Sequence, residues 1–190
     1  MSQSESFQKN YLTNAIIQFE YYKMLGDKSF IQLTEKKLFW QHNKDSNSIA
    51  IMVKHLVGNM HSRWTNFLTE DGEKSWRNRD QEFENTYKTK NDILENWEKG
   101  WSCLFDAIKP LTINDFDKLV YIRNQGHTIQ EAITRQLCHY SYHVGQIVYL
   151  AKMIKGKNWV SLSVPKNESA NYNAAKFNKP KTKKHFTEDL

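Results

Sequence analysis

The sequence predicts an all-α protein, an antiparallel four-helix bundle with a long loop between helices 2 and 3 and a disordered or loosely docked C-terminal tail. Three observations support this fold class. Four segments carry apolar residues at helical intervals. Residues typical of helix starts precede three of these segments. A chain of 190 residues is also long enough to build one hydrophobic core.

The N-terminal part of the chain predicts one long helix and a short connection. An amphipathic helix is expected from Ser4 to about Gly26, where the glycine ends it. Residues 27–45 are expected to form a short helical turn and a loop that packs over one end of the domain. The apolar stripe of the first helix consists of Phe7, Tyr11, Ala15, Phe19 and Tyr22.

The second helix is expected to start within Ser46–Ser48, where any of three residues could cap it, and to run to about Leu68. His55 lies at the border of its apolar stripe, next to Leu56. A lone histidine in such a position is more often a hydrogen-bonded core residue than a metal ligand. Both interpretations of His55 are open at this point.

The segment from Thr69 to Lys88 is polar, charged and without a period. A loop of this length is uncommon inside a compact domain and is usually either functional or disordered. Its large aromatic residues predict an ordered loop near a rim of the domain. These residues are Trp76, Phe83 and Tyr87.

The third helix is expected to open at Thr89 and to end before Pro110, because proline cannot continue a helix. Residues 111–127 predict an irregular connection. It contains a short extended piece, from Lys118 to Ile122, and a turn at Asn124.

The fourth helix is the most clearly predicted element, from Thr128 to Lys155. Thr128 and Glu131 have the spacing of a capping box, in which each side chain satisfies a backbone N–H at the helix start. Apolar residues then recur at roughly helical intervals along the whole segment.

Two histidines in this helix, His139 and His143, are four residues apart. Four residues of α-helix give about 400° of rotation and about 6 Å of rise, so the imidazoles project side by side and could bind one metal ion. A chance or structural pair has the same spacing. His55 is the best third ligand, since helices 2 and 4 both bury the faces that carry their histidines. His61 lies about 120° away from His55 and is expected to face solvent or the loop.

Two further residues near this helix have other interpretations. His127 could donate a hydrogen bond to a backbone carbonyl or line a site. Cys138 points about 100° away from His139, so we interpret it as a small buried side chain and not as a ligand.

The sequence HYSYHVGQ in the fourth helix and HLVGNMHSRW in the second resemble the DinB/YfiT-like superfamily of metal-binding four-helix bundles. The loop SWRNRDQEFE, the segment YIRNQGHT and the end piece SLSVP resemble one largely uncharacterised branch of it, over about residues 5–165. The resemblance implies a divalent metal ion on His55, His139 and His143. It also implies a homodimer and, from members of known activity, a transferase that uses a low-molecular-weight thiol such as bacillithiol or mycothiol.

Three neutral imidazoles would leave a divalent ion an open position, which is typical of catalytic sites. Zinc or nickel is expected, and iron or copper also fits a site made only of histidines. Asn59 and Gln146 could line the open side or form hydrogen bonds between helices. Arg63 and Arg123 could hold an anionic group of a substrate or form surface ion pairs. The sequence identifies no catalytic base.

The net charge of +6 comes mostly from lysines near the C-terminus. A basic tail can bind nucleic acid, but the rest of the chain is nearly balanced and has no nucleic-acid-binding motif, so a solvated tail is expected. No signal peptide, no run of about 18 apolar residues and no cysteine framework are found. We therefore expect a cytoplasmic protein without a membrane partner. The C-terminal lysines that supply most of the net charge are Lys176, Lys179, Lys181, Lys183 and Lys184.

The sequence thus predicts a bundle domain over residues 1–165 and a basic, Asn- and Lys-rich tail over residues 166–190. The function expected is that of a divalent-metal-dependent enzyme with a three-histidine site. It would be a thiol-dependent S-transferase or a hydrolase that acts on a small molecule. The alternative is a non-catalytic metal-binding or protein-interaction bundle, and the sequence does not decide whether the protein is catalytic.

Overall fold

The computed structural model describes residues 3–189, and most of this part of the chain is helical. Four long helices of 29, 16, 19 and 27 residues dominate the described residues. The prediction of a mainly helical protein is confirmed. The helices are α1 (Gln3–Ile31), α2 (Glu35–Leu38), α3 (Ile49–Trp64), α4 (Lys90–Ile108), α5 (Ile129–Lys155) and α6 (Ser169–Phe177).

The core lies between the four long helices. Helix α3 packs mainly along α4, and α1 packs mainly along α5, while α3 also contacts α5. Aromatic side chains from three of these helices meet in the centre and are fully buried, which removes a large apolar area from water. They are Phe19, Trp97, Trp101 and Tyr140.

A short hydrogen-bond chain joins α3 to α5 at the level of the histidines. The indole Nε1–H of Trp64 donates to the hydroxyl of Tyr140 at 3.0 Å, and that hydroxyl donates to Oδ1 of Asn59 at 3.1 Å. All three side chains are buried. Because a buried polar group left without a partner is costly, this chain fixes how α3 faces α5.

The predicted starts of the second, third and fourth helices agree with the structure. The side chain of Ser48 accepts a hydrogen bond from the third residue of α3. Thr89 and Thr128 each form a complete capping box at the start of α4 and α5, with Asp92 and Glu131 respectively. Caps of this kind contribute about 1 kcal/mol each.

Two predicted helix ends are wrong. Helix α1 continues through Gly26 to Ile31, because this glycine does not end a helix but lets Trp97 approach it. A Cβ atom on Gly26 would lie 3.0 Å from Cη2 of the Trp97 ring. Helix α3 ends at Trp64, four residues before the predicted end, because the next residue is extended and Asn66 has a φ of 48°.

The connection after α4 contains a β-hairpin that the sequence predicted only in part. Strand β1 (Leu119–Ile122) corresponds to the predicted extended piece, and it pairs antiparallel with an unpredicted strand, β2 (Gln125–Thr128). The turn consists of Arg123 and Asn124, which have φ values of 56° and 60°. Two positive φ values are the conformation of a tight hairpin turn.

The C-terminal segment forms helix α6 and a 3-10 turn, Phe186–Asp189. No residue of α6 is buried. The ring of Phe186 meets the ring of Tyr21 on α1 with 5.2 Å between centroids, so this ring contact joins the segment to the long helices. Among the helices of residues 3–189, none is both long enough and apolar enough to cross a membrane.

Candidate metal centre

Three histidines from two helices meet where α3 faces α5. His55 comes from α3, and His139 and His143 come from successive turns of α5. Their ligand atoms all lie within 4.8 Å of one another, and Nε2 of His55 is 3.4 Å from Nε2 of His139. The structure therefore brings together the three residues that sequence and resemblance indicated.

This cluster fits a divalent transition-metal ion. Two ligand nitrogens at about 2.0–2.1 Å from a tetrahedral ion are separated by about 3.4 Å, which is the distance between the Nε2 atoms of His55 and His139. Imidazole is a good ligand for zinc, nickel, copper and iron. The three side chains could hold such an ion and leave it at least one position that no protein atom fills.

His55 is oriented by Glu82, which lies in the 3-10 turn Asp80–Phe83 of the long loop. The Nδ1–H of His55 donates to Oε2 of Glu82 at 2.9 Å, and each side chain is only 7% exposed. Burial raises the pKa of Glu82, but hydrogen bonds from His55 and Arg77 outweigh burial and leave this pKa lowered. Because a carboxylate only accepts, the proton of His55 stays on Nδ1 and the lone pair of Nε2 faces His139.

Glu82 is itself held from two sides. Arg77 donates to it through Nε at 2.7 Å and through Nη2 at 3.0 Å, a bidentate geometry that fixes the plane of the carboxylate. On α3, one turn after His55, Gly58 leaves the space that this carboxylate fills. A Cβ atom on Gly58 would lie 2.7 Å from the carboxyl carbon of Glu82. The glycine therefore matters for the position of Glu82.

The two histidines of α5 are held neutral. Burial, followed by the neighbouring His143, His55 and two arginines, lowers the pKa of His139 to about 3. Burial and His55 also lower the pKa of His143, against a hydrogen bond at 2.8 Å between its Nδ1 and Oε1 of Gln146. Metal binding needs neutral imidazole, so both rings are ready to bind at neutral pH.

The cluster forms the floor of a pocket of about 320 Å³. Its lining consists of the three histidines, five arginines, Asn59, Phe83 and Gln136. The ring of Phe83 stacks on His55 with 4.9 Å between centroids, so the long loop covers the site from one side. Among the described residues that line this pocket there is no carboxylate, hydroxyl, thiol or lysine.

The four residues that the sequence suggested as lining the site occupy different positions relative to the pocket. Asn59 and Arg63 line the pocket but also bind protein groups, because Asn59 accepts from Tyr140 and Arg63 donates to the carbonyl of Gly72 and to Glu73. Arg123 lines the rim from the hairpin turn, with its side chain 58% exposed. Gln146 lies behind His143 and binds its Nδ1.

Three other residues lie outside the cluster. His61 is half-buried and is not part of the cluster, and burial together with the charge of Lys99 on α4 lowers its pKa. Nε2 of His127 accepts from Arg135 at 2.7 Å. Cys138 is exposed, so the interpretation of it as a buried side chain is wrong. It lies on the outer side of α5, where the helix faces solvent.

Sequence reasoning missed Glu82, Gln136 and three of the pocket arginines. For Gln136 a signal was present, since it precedes His139 by three residues on one helix and so lies on the same face. Glu82 gave no such signal, because it is 27 residues from His55 in a loop without periodicity. In that loop, the side chain of Trp76 is 59% exposed, so this aromatic residue, one of the three from which an ordered loop was predicted, does not pack on the domain.

The comparison with protein families gives one finding that covers most of the chain. The model of a family described as "Protein of unknown function (DUF1572)" matches residues 6–168. No curated protein matches the sequence. The match includes all three histidines, the long loop and the hairpin. The chain therefore belongs to the DUF1572 family.

Proposed function

We propose that this protein is a divalent-metal-dependent enzyme of the DinB/YfiT-like superfamily, and that its four long helices form the antiparallel bundle of that superfamily. The observation that carries the proposal is the cluster of His55, His139 and His143, whose ligand atoms lie within 4.8 Å of one another at the floor of a pocket. A structural metal site would be closed by a fourth side chain. Here the cluster opens into space large enough for a small molecule.

When bound, a divalent ion on three neutral imidazoles keeps its full charge and lowers the pKa of a thiol or water in its open position. The chain supplies the arrangement around that position. Glu82 fixes the tautomer of His55, Gln146 does the same for His143, and Phe83 excludes water from one side of the His55 ring.

The pocket supports thiol transfer better than hydrolysis. Hydrolysis of an ester or amide usually needs a side chain that protonates the leaving group, such as a histidine or a carboxylic acid. The described lining offers only the three histidines of the cluster, arginines that stay protonated, and amides. Transfer of a thiol to an electrophile that carries a good leaving group, such as a halide, needs no such acid. We therefore propose a thiol-dependent S-transferase with zinc or nickel in the site.

The test is conjugation of a thiol with 1-chloro-2,4-dinitrobenzene, in which a C–S bond forms, the C–Cl bond breaks, and chloride and the thiol proton are released. Bacillithiol, mycothiol and cysteine should each be tried with zinc- and nickel-loaded protein. We expect conjugation that a chelator abolishes, that His55→Ala lacks and that His61→Ala retains. Metal-dependent ester hydrolysis without conjugation would replace the transferase proposal by a hydrolase.

A further inference from the structure

The arginines of this chain are concentrated in one place. The sequence contains five, and all five line the pocket above the histidine cluster, whereas no lysine lines it. Lysine is the much commoner basic residue in this protein, since lysine and arginine together number 27. The five come from α3, the long loop, the hairpin turn and α5, so no single helix face explains the grouping. They are Arg63, Arg77, Arg79, Arg123 and Arg135.

Two of these arginines are fixed parts of the wall. Arg77 has a side chain only 3% exposed and binds Glu82 with two nitrogens and Glu73 with a third. Arg63 is 7% exposed and donates to the carbonyl of Gly72 and to Glu73. Both guanidinium groups have protein acceptors, so their main effect on a bound molecule is their charge.

The carboxylates nearby do not balance the arginines. One oxygen of Glu73, Oε2, is shared by Arg63 at 3.1 Å, Arg77 at 3.2 Å and Arg123 at 3.3 Å. Glu82 binds Arg77 and His55. Asp71 is a third carboxylate, which accepts from the backbone N–H of Arg123 and whose charge acts on Arg63. Three carboxylates therefore lie near five guanidinium groups, and the pocket has a positive charge even before a metal ion is added.

The other two arginines have no carboxylate partner within residues 3–189. Arg79 lies over the ring of Phe83, with 5.2 Å from its guanidinium carbon to the ring centroid. Arg135 donates to Nε2 of His127 at 2.7 Å. Both side chains are exposed at the mouth of the pocket, one on the long loop and one on α5. Phe83 and His127 position these two arginines without offering a negative charge, and they leave guanidinium N–H groups free for an anion.

We propose that this pocket binds the oxyanion group of a small-molecule substrate, a carboxylate or a phosphate, beside the histidine cluster. That the bound anion is a substrate rests on the proposed function, whereas the binding of an anion does not. The planar fork of arginine matches the two oxygens of a carboxylate or phosphate, whereas lysine offers a single point charge. A solvated face would use either residue, so arginine alone in this pocket indicates recognition. The volume of about 320 Å³ fits a small molecule.

The geometry assigns different roles to the arginines. Arg79 and Arg135 would contact the oxyanion directly, because their N–H groups are free. Arg63 and Arg77 would hold the surrounding loop and supply a positive potential. The substrate would then lie with its anionic end at the mouth and its reacting end toward His139 and His143, which line the same space.

The experiment measures binding of two probes, inorganic phosphate and succinate, by titration calorimetry at low ionic strength. It uses chelator-treated protein and zinc-loaded protein. The test variant is Arg79→Gln with Arg135→Gln, and both residues are exposed, so folding should be kept. The matched control is Lys152→Gln with Lys157→Gln, which removes the same charge from exposed positions outside the pocket. A further variant, Arg79→Lys with Arg135→Lys, keeps the positive charges but removes the planar guanidinium groups that can donate two parallel hydrogen bonds.

We expect the chelator-treated wild-type protein to bind at least one probe, and the double Gln variant to bind it about 10-fold or more weakly. The lysine control should bind like the wild type, and the double Lys variant should be weaker than the wild type. Tighter binding of phosphate would identify a phosphate ester, and tighter binding of succinate would identify a carboxylate.

The inference is overturned if neither probe binds at millimolar concentration, or if the double Gln variant and the lysine control bind equally well. Because the chelator-treated protein contains no metal, these outcomes are independent of the metal site. Arginine-dependent anion binding in a protein that never conjugates a thiol would instead overturn the proposed S-transferase and leave the anion site in place.

Discussion

The role of Glu82 can be tested with a substitution that leaves all three histidines in place. In Glu82→Gln, an amide replaces the carboxylate that accepts from His55 at 2.9 Å and from Arg77 at 2.7 and 3.0 Å. The amide oxygen can still accept from one partner, but the charge is lost and an NH2 group faces a donor. Such partners of metal-binding histidines contribute about 10- to 100-fold to metal affinity, or about 1.4–2.8 kcal/mol.

A second substitution reaches the same carboxylate from the other side. Gly58→Ala puts a methyl group where the Glu82 carboxylate lies, so the carboxylate must move away from His55. Gly145→Ala is the matched control, because Gly145 is also in a helix and its Cβ atom would meet no atom within 4 Å. Alanine favours a helix over glycine by about 1 kcal/mol, so the control should be slightly stabilised.

The assay is competition for zinc against a chromogenic chelator at pH 7, together with thermal melts of the metal-free proteins. We expect weaker zinc binding in Glu82→Gln and Gly58→Ala and unchanged binding in Gly145→Ala. The melts show whether the metal-free proteins are folded. Wild-type zinc affinity in both Glu82→Gln and Gly58→Ala would refute the conclusion that Glu82 orients His55 for metal binding.

Three further predictions concern stability and assembly. Removal of residues 171–190 should change the free energy of unfolding by less than about 2 kcal/mol, because no residue of α6 is buried. A larger loss in denaturant titrations would contradict the proposed division into a domain, 1–165, and a separate tail. The resemblance to the DinB/YfiT-like superfamily predicts that the full chain sediments as a homodimer, and a monomer at micromolar concentration would contradict this prediction. Asp71→Asn should destabilise the protein by about 1 kcal/mol at pH 7, because Asp71 accepts from the backbone N–H of Glu73, Arg123 and Asn124. Burial raises the pKa of Asp71, but those hydrogen bonds outweigh it and lower the pKa, so this stabilisation is present above the ordinary value of 3.8 and lost as pH falls below it. Denaturant titrations in which the wild type and Asp71→Asn differ equally at pH 7 and pH 3 would contradict this assignment.

The parts of the site that lie within one helix could be predicted from the sequence. The capping box of Thr128 and Glu131 spans four residues, and the pair of His139 and His143 spans one helical turn, so both depend only on local geometry. Prediction of the third histidine, His55, needed one further assumption, which is that predicted helices 2 and 4 face each other.

The rest of the site depends on the path of a loop, which has no periodic signal. Glu82 reaches His55 only because the chain between them folds back over α3. The arginine pocket draws on four separate elements, so no spacing in the sequence shows that they meet. The role of a glycine in a predicted helix is also ambiguous from the sequence alone. Gly26 was predicted to end a helix, but it allows Trp97 to pack closely, and only the tertiary contact distinguishes the two uses.

Metal stoichiometry tests the central claim most directly, on protein purified without an affinity tag. The comparison is between His55→Ala and His61→Ala, two histidines of α3 of which only His55 belongs to the cluster. Each protein is analysed for bound metal and melted with added zinc and with a chelator.

We predict about one divalent ion per chain in the wild type and in His61→Ala, and sharply reduced metal in His55→Ala, because two imidazoles remain. A ligand that prefers the folded state raises the melting temperature, so the chelator should lower the melting temperature of the first two proteins only. A wild-type protein whose melting temperature is the same with zinc and with chelator, or a His61→Ala variant that loses the metal while His55→Ala keeps it, would contradict the three-histidine centre.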